Sequence, residues 1–81
     1  MVKALVYVTL KKSVFDPQGQ AVHDALASLG FGGVADVRQG KFFELSVDAP
    51  SPEAARQTVE EAARKVLANP VIESYRVEVV G

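Results

Sequence analysis

The sequence predicts an α+β fold in which two helices cover one face of a four-stranded antiparallel sheet. Three observations carry that prediction. Four stretches alternate apolar and polar residues with the period of two that a half-buried strand requires. Two stretches place apolar residues at helical spacing behind a capping residue and a proline, Asp16-Pro17 and Ser51-Pro52. The elements follow one another as strand, helix, strand, strand, helix, strand, and a glycine separates the two middle strands at Gln39-Gly40.

The first strand covers Val2 to Leu10. Val2, Ala4, Val6, Val8 and Leu10 form a wholly apolar series that should face the helices, while Leu5 and Tyr7 point the other way. A strand this apolar belongs at the sheet centre. Asp16 then caps a helix whose first residue is Pro17, and Val22, Ala25, Leu26 and Leu29 make its apolar stripe. Gly30 is expected to end it in the left-handed conformation. Val34 to Arg38 and Lys41 to Val47 read as the two arms of a hairpin, with Gly40 supplying a positive φ at the turn. Ser51 caps the second helix, and Glu53 sits in its first turn, where the helix dipole favours a negative charge.

Along that second helix Ala55, Val59, Ala62, Ala63, Val66 and Leu67 form the buried stripe, with Glu60–Arg64 and Glu61–Lys65 at i,i+4 spacing. Asn69 reads as a left-handed cap, and Pro70 forbids continuation. Tyr75, Val77 and Val79 alternate with Ser74, Arg76 and Glu78 in the last strand. The whole is one domain over residues 1–81, the ferredoxin-like βαββαβ two-layer sandwich. Its first and third strands are expected at the centre, and its second and fourth at the edges. Both helices would lie on one face. The open face would carry Leu5, Tyr7 and Phe42 among Lys3, Glu44, Arg76 and Glu78, a patch suited to oligomerising through the sheet.

Composition narrows the function. A chain of 81 residues buries too little surface to be robust alone, and the usual supplements are disulfides, a metal or association. There is no cysteine and one histidine, His23, which leaves association: a homo-oligomer, dimer or tetramer. Nine Lys and Arg against ten Asp and Glu give a net charge of −1, which argues against a nucleic-acid partner. No apolar run approaches membrane-spanning length and no targeting segment is evident, so a cytoplasmic protein without membrane contact is expected. No nucleophile stands at a recognisable spacing from a base, and no glycine-rich phosphate loop follows a strand. Two cationic groups, Lys11-Lys12 and the Arg38/Lys41 pair flanking the turn, read first as a solvated rim, and second as charges that dock an acidic or phosphate-bearing surface.

Four stretches carry a more specific signal: Val14-Phe15-Asp16-Pro17-Gln18-Gly19, Leu29-Gly30-Phe31, Val37-Arg38-Gln39-Gly40-Lys41, and Leu67-Ala68-Asn69-Pro70-Val71-Ile72-Glu73-Ser74-Tyr75. In this order and spacing they resemble the PurS family, small subunits of phosphoribosylformylglycinamidine synthase in purine biosynthesis, over essentially the whole chain. The resemblance implies a non-catalytic assembly subunit of a ligase complex, one that bridges a PurL-type synthetase and a PurQ-type glutaminase so that ammonia passes between them. It implies no cofactor on this subunit, the complex using ATP and Mg. No catalytic residue carries over. Asp16, Arg38, Lys41 and Glu73 are the partner-binding candidates, and Leu5, Tyr7 and Phe42 the candidates for the oligomer interface. From a different class, a free-standing ferredoxin-like module that binds a regulatory small molecule is the alternative.

Overall fold

The computed structural model describes residues 1–80. Strand β1 (Val2–Leu10) is followed by helix α1 (Pro17–Ser28), strand β2 (Gly40–Val47), helix α2 (Pro52–Ala62) with a π-helical turn (Ala63–Leu67), and strand β3 (Glu73–Val79). The sheet has three strands in the order β2-β1-β3, both pairs antiparallel. Only β1 is central. The third of the sequence-predicted strands forms the β2 edge instead.

Val34 to Arg38 is not a strand, and Gln39-Gly40 is not a hairpin turn. The polar groups of this stretch have other partners. The Asp36 carboxylate accepts from the Val37 amide, an Asx contact that competes with ladder pairing. The Gln39 amide donates to Asp16 Oδ2, and Arg38 Nη2 donates to the carbonyls of Lys11 and Val14. Gly40 has no positive φ. A Cβ there would stand 2.3 Å from the Val8 carbonyl oxygen, so close strand approach explains the glycine.

The apolar face of β1 forms the core as expected. Ala4, Val6 and Val8 pack against Val59, Ala63 and Ala68, with Phe43, Leu45, Val47, Leu67 and Val77 partly buried around them. Burial of each of Val6, Val8 and Val59 contributes about 1.5 kcal/mol or more, and no larger side chain is fully enclosed. The core is therefore small. Helix α2 lies over β1 and β3. Ser51 Oγ accepts from the Ala54 amide, as a cap should.

The π turn changes the end of the predicted stripe. The Ala68 amide donates to the Ala63 carbonyl five residues back, which widens the last turn. Val66 is thereby 79% exposed, and Ala68 takes a core position in its place. Asn69 is not left-handed; its Oδ1 accepts from the Val71 amide in an Asx turn. Glu61 and Lys65 pair at 2.7 Å, but Glu60 is joined by Arg56 rather than by Arg64.

Helix α1 departs furthest from expectation. It begins and ends as predicted: Asp16 Oδ1 accepts from the Gly19 amide, and Gly30 has φ of 95°. The Gly30 and Phe31 amides donate to the Ala27 and Leu26 carbonyls, a Schellman closure. Yet beyond its first turn α1 makes little contact with the sheet or with α2. Leu29 is 75% exposed, and Phe15, Val22 and Phe31 are exposed too. The two helices do not share one face. The chain is 50 × 26 × 14 Å, with α1 and its return segment forming an arm beyond the sheet.

Candidate partner-binding site

Three of the sequence-predicted partner-binding residues meet in one cleft of about 520 Å³, where the arm leaves the sheet. Asp16, Pro17 and Gln18 form one wall, and Gln39, Gly40 and Lys41 another. Val8, Leu10 and Glu73 make the floor. Register explains the grouping. Lys41 lies opposite Val8 and Glu73 opposite Leu10, so both point to the side of the sheet that α2 occupies.

Asp16 holds the arm to the sheet. It is 4% exposed, and its two carboxylate oxygens accept from the amides of Gly19 at 2.9 Å and Gln39 at 2.7 Å. Gly19 fits only without a side chain, since a Cβ would lie 2.3 Å from the Val37 carbonyl oxygen and 2.7 Å from Asp16 Oδ2. The Gly19 and Gln39 amides, with help from nearby Arg38, hold the Asp16 pKa below its ordinary value, against an opposing effect of burial. Asp16 is ionised at neutral pH and its oxygens are already engaged.

Glu73 is nearly covered as well. One carboxylate oxygen accepts from the Asn69 amide at 2.7 Å, and the other faces Lys41 Nζ at 3.5 Å. Lys41 is more than half exposed and is the cation of the cleft that a partner can reach. Arg38 lies outside the cleft, beside Lys12 and Asp36, with its guanidinium on the Lys11 and Val14 carbonyls. It ties down the β1–α1 loop. A freely solvated rim charge, which the sequence suggests, is not its situation.

Leu5, Tyr7 and Phe42 lie together on the opposite face, as expected. Tyr7 pairs across the strands with Phe42, their ring centroids 5.3 Å apart and tilted by 44°. The Arg76 guanidinium stands 4.2 Å from the Tyr7 ring centroid on the other side. Phe42 remains 55% exposed. The Lys3–Glu44 pair at 2.7 Å edges the patch. Arg76 was legible only as a polar neighbour; its place over Tyr7 depends on the β1–β3 register. Among the described residues no cluster of three or more His, Asp and Glu could hold a metal ion, and no helix is long and apolar enough to cross a membrane.

The family model described as PurS, phosphoribosylformylglycinamidine (FGAM) synthase, matches residues 3–81. The chain belongs to the PurS family. Among PurS relatives, the phosphoribosylformylglycinamidine synthase subunit PurS of Bacillus subtilis is 51% identical over 98% of this chain and 93% of its own length. That of Synechocystis is 46% identical over 91% of this chain and 74% of its own. A solved PurS structure from Bacillus subtilis superposes with a TM-score of 0.87 at 49% identity, covering all of both chains. A chain in the structure of PurLQS from Thermotoga maritima gives 0.90 at 32% identity, over 98% of this chain and 96% of that one. The three-stranded α+β architecture is thus that of solved PurS subunits.

Proposed function

We propose that this chain is the small, non-catalytic assembly subunit of phosphoribosylformylglycinamidine synthase in purine biosynthesis. It self-associates and holds a PurL-type synthetase and a PurQ-type glutaminase in register, so that ammonia passes between them without release to water. The likeness to a chain of the PurLQS assembly, end to end in both chains, carries this reading. The chemistry of the cleft agrees with it: Asp16 and Glu73 spend their carboxylate oxygens on backbone amides and Lys41, which suits them to shaping a surface. ATP and Mg of the complex are held by the other subunits, and this one takes no cofactor. Its place of action is the cytoplasm.

Two surfaces serve as contacts. One is the cleft of Asp16, Lys41 and Glu73, with Arg38 fixing its outer wall. The other is the open face of Leu5, Tyr7 and Phe42. The test is reconstitution with PurL-type and PurQ-type subunits. Glutamine-dependent amidine synthesis should require this chain, while ammonia-dependent synthesis by the large subunit alone should not. Full glutamine-dependent activity without the chain would overturn the proposal.

A further inference from the structure

The cations of the chain are unevenly matched by carboxylates. Lys3, Lys41, Arg56, Lys65 and Arg76 each form an ion pair with an acidic side chain. Of the other four, Lys11, Lys12 and Arg38 gather at the β1–α1 loop, and Arg64 stands apart on the π turn. Asp36 shares a shallow hollow of about 360 Å³ with Lys12 and Arg38. Its carboxylate accepts from the Val37 amide, and among the described residues it pairs with neither cation. The loop therefore carries charge that the chain itself leaves unmatched.

The loop is also braced. The Lys11 amide donates to the Ile72 carbonyl at 2.8 Å, and the Val14 amide to the Lys11 carbonyl at 2.9 Å. Arg38 Nη2 closes the turn from outside, on the Lys11 carbonyl at 3.0 Å and the Val14 carbonyl at 2.9 Å. Carbonyl oxygens hold the guanidinium without neutralising it, so the brace itself adds a cation. A loop already ordered loses little freedom on docking, which removes part of the cost of association. Lys11, Lys12 and Ser13 are exposed, and Phe15 beside them is 69% exposed. Aromatic side chains are enriched at the centres of protein interfaces, and charges line the rims. The loop has both.

Chemistry decides between two kinds of anion. A phosphate site gathers free backbone amides or an arginine fork. Here the Lys11 and Val14 amides and Arg38 Nη2 are already engaged, and Asp36 stands in the hollow to repel a dianion. The single charges of protein carboxylates suit the site better. We propose that this loop docks on a carboxylate-bearing surface of one of the larger subunits. Lys11 and Lys12 meet its acids, Phe15 seats at the centre, and Arg38 is a positioning residue that holds the loop. Phe15 precedes Asp16 and Arg38 precedes Gln39, so the contact continues the cleft surface outward. The inference rests on the assembly role proposed above and adds the chemistry of the partner.

The test is binding kinetics of the full chain with the PurL-type and PurQ-type subunits, each alone and both together, in ATP, Mg and glutamine. Measurements at about 50 and 300 mM salt separate charge from packing. Circular dichroism and light scattering follow folding and self-association. Lys11→Glu/Lys12→Glu should slow association about tenfold or more at low salt and abolish its salt dependence. Phe15→Ala should speed dissociation about tenfold at either salt. Arg38→Lys keeps the charge and loses the fork, so association should hold while dissociation quickens. Should the reversed charges unfold the chain, Lys11→Gln/Lys12→Gln replaces them, with the same direction expected. A parent that binds neither subunit overturns the assembly role itself. A parent that binds, with association unmoved by the charge variants, overturns this inference alone. Calorimetric binding of inorganic phosphate or ATP to the chain, abolished by the charge variants, also overturns it, since the loop is then a phosphate site.

Discussion

Helices α1 and α2 start with the same device, an oxygen-bearing cap followed by proline, yet only α2 packs against the sheet of its own chain. The polar surfaces differ to match. Helix α2 and its π turn carry Glu53, Arg56, Glu60, Glu61, Arg64 and Lys65, an outer face meant for water. Helix α1 carries Asp24 alone. The difference teaches that amphipathic spacing identifies a helix without fixing what its apolar stripe packs against.

Paired substitutions break this comparison most directly. Val59 in α2 is 1% exposed, and Val59→Asp should destabilise the fold by about 3–5 kcal/mol, because the new carboxylate is enclosed among Val6, Val8 and Ala63. Leu29→Glu at the C-cap of α1 should change the unfolding free energy of the monomer by no more than about 0.5 kcal/mol. Denaturant titrations of both variants at low protein concentration check this. Comparable losses would mean that α1 is held by its own sheet.

How much of this was legible follows the range of the forces involved. Caps, turns and strand alternation depend on neighbours in sequence, so Asp16, Ser51, Gly30 and the β1 core series read correctly. The strand expected over Val34 to Arg38 failed because its competitors are distant: Asp16 is 23 positions from Gln39, and Lys11 is 27 from Arg38. The π turn failed too, since one extra residue in a turn leaves apolar spacing nearly intact. Of the site, the sequence points to Asp16, Lys41 and Glu73, but their meeting in one cleft depends on the strand register.

The second prediction sharpens the comparison at the root of α1. Asp16→Ala removes the acceptor for Gly19 and Gln39, and should lower the unfolding midpoint by several degrees while the α2 core persists. Acid should mimic it. The folded-state pKa of Asp16 lies below its ordinary 3.8, so its contribution is full above that value and is lost as pH falls through the depressed one. In Asp16→Asn that part of the acid sensitivity should disappear. Proteolysis of the arm, measured against pH, reads both effects. An unchanged acid profile in Asp16→Asn would remove the clamp from the account.

The smallest effect is expected at Lys41. Its pair with Glu73 is 3.5 Å long and its own side chain is mostly exposed, so Lys41→Ala should cost no more than about 0.5 kcal/mol. Glutamine-dependent activity of the reconstituted complex should fall and grow less sensitive to salt, as befits a docking charge. Full activity at every ionic strength would restrict the partner surface to the open face.

The Asp16–Gln39 contact has a consequence for how the family can vary in length. It closes residues 17–38 into an excursion whose two ends are joined at the root. At the far tip, Gly32 and Gly33 have open space around them. Residues added or removed at the tip leave the root bonds and the strand register untouched, and each doubling of such a loop costs only about 0.6 kcal/mol of closure entropy. Insertions should therefore be tolerated at Gly32-Gly33 and disruptive at Gly19 and Gly40, where the backbones approach closely.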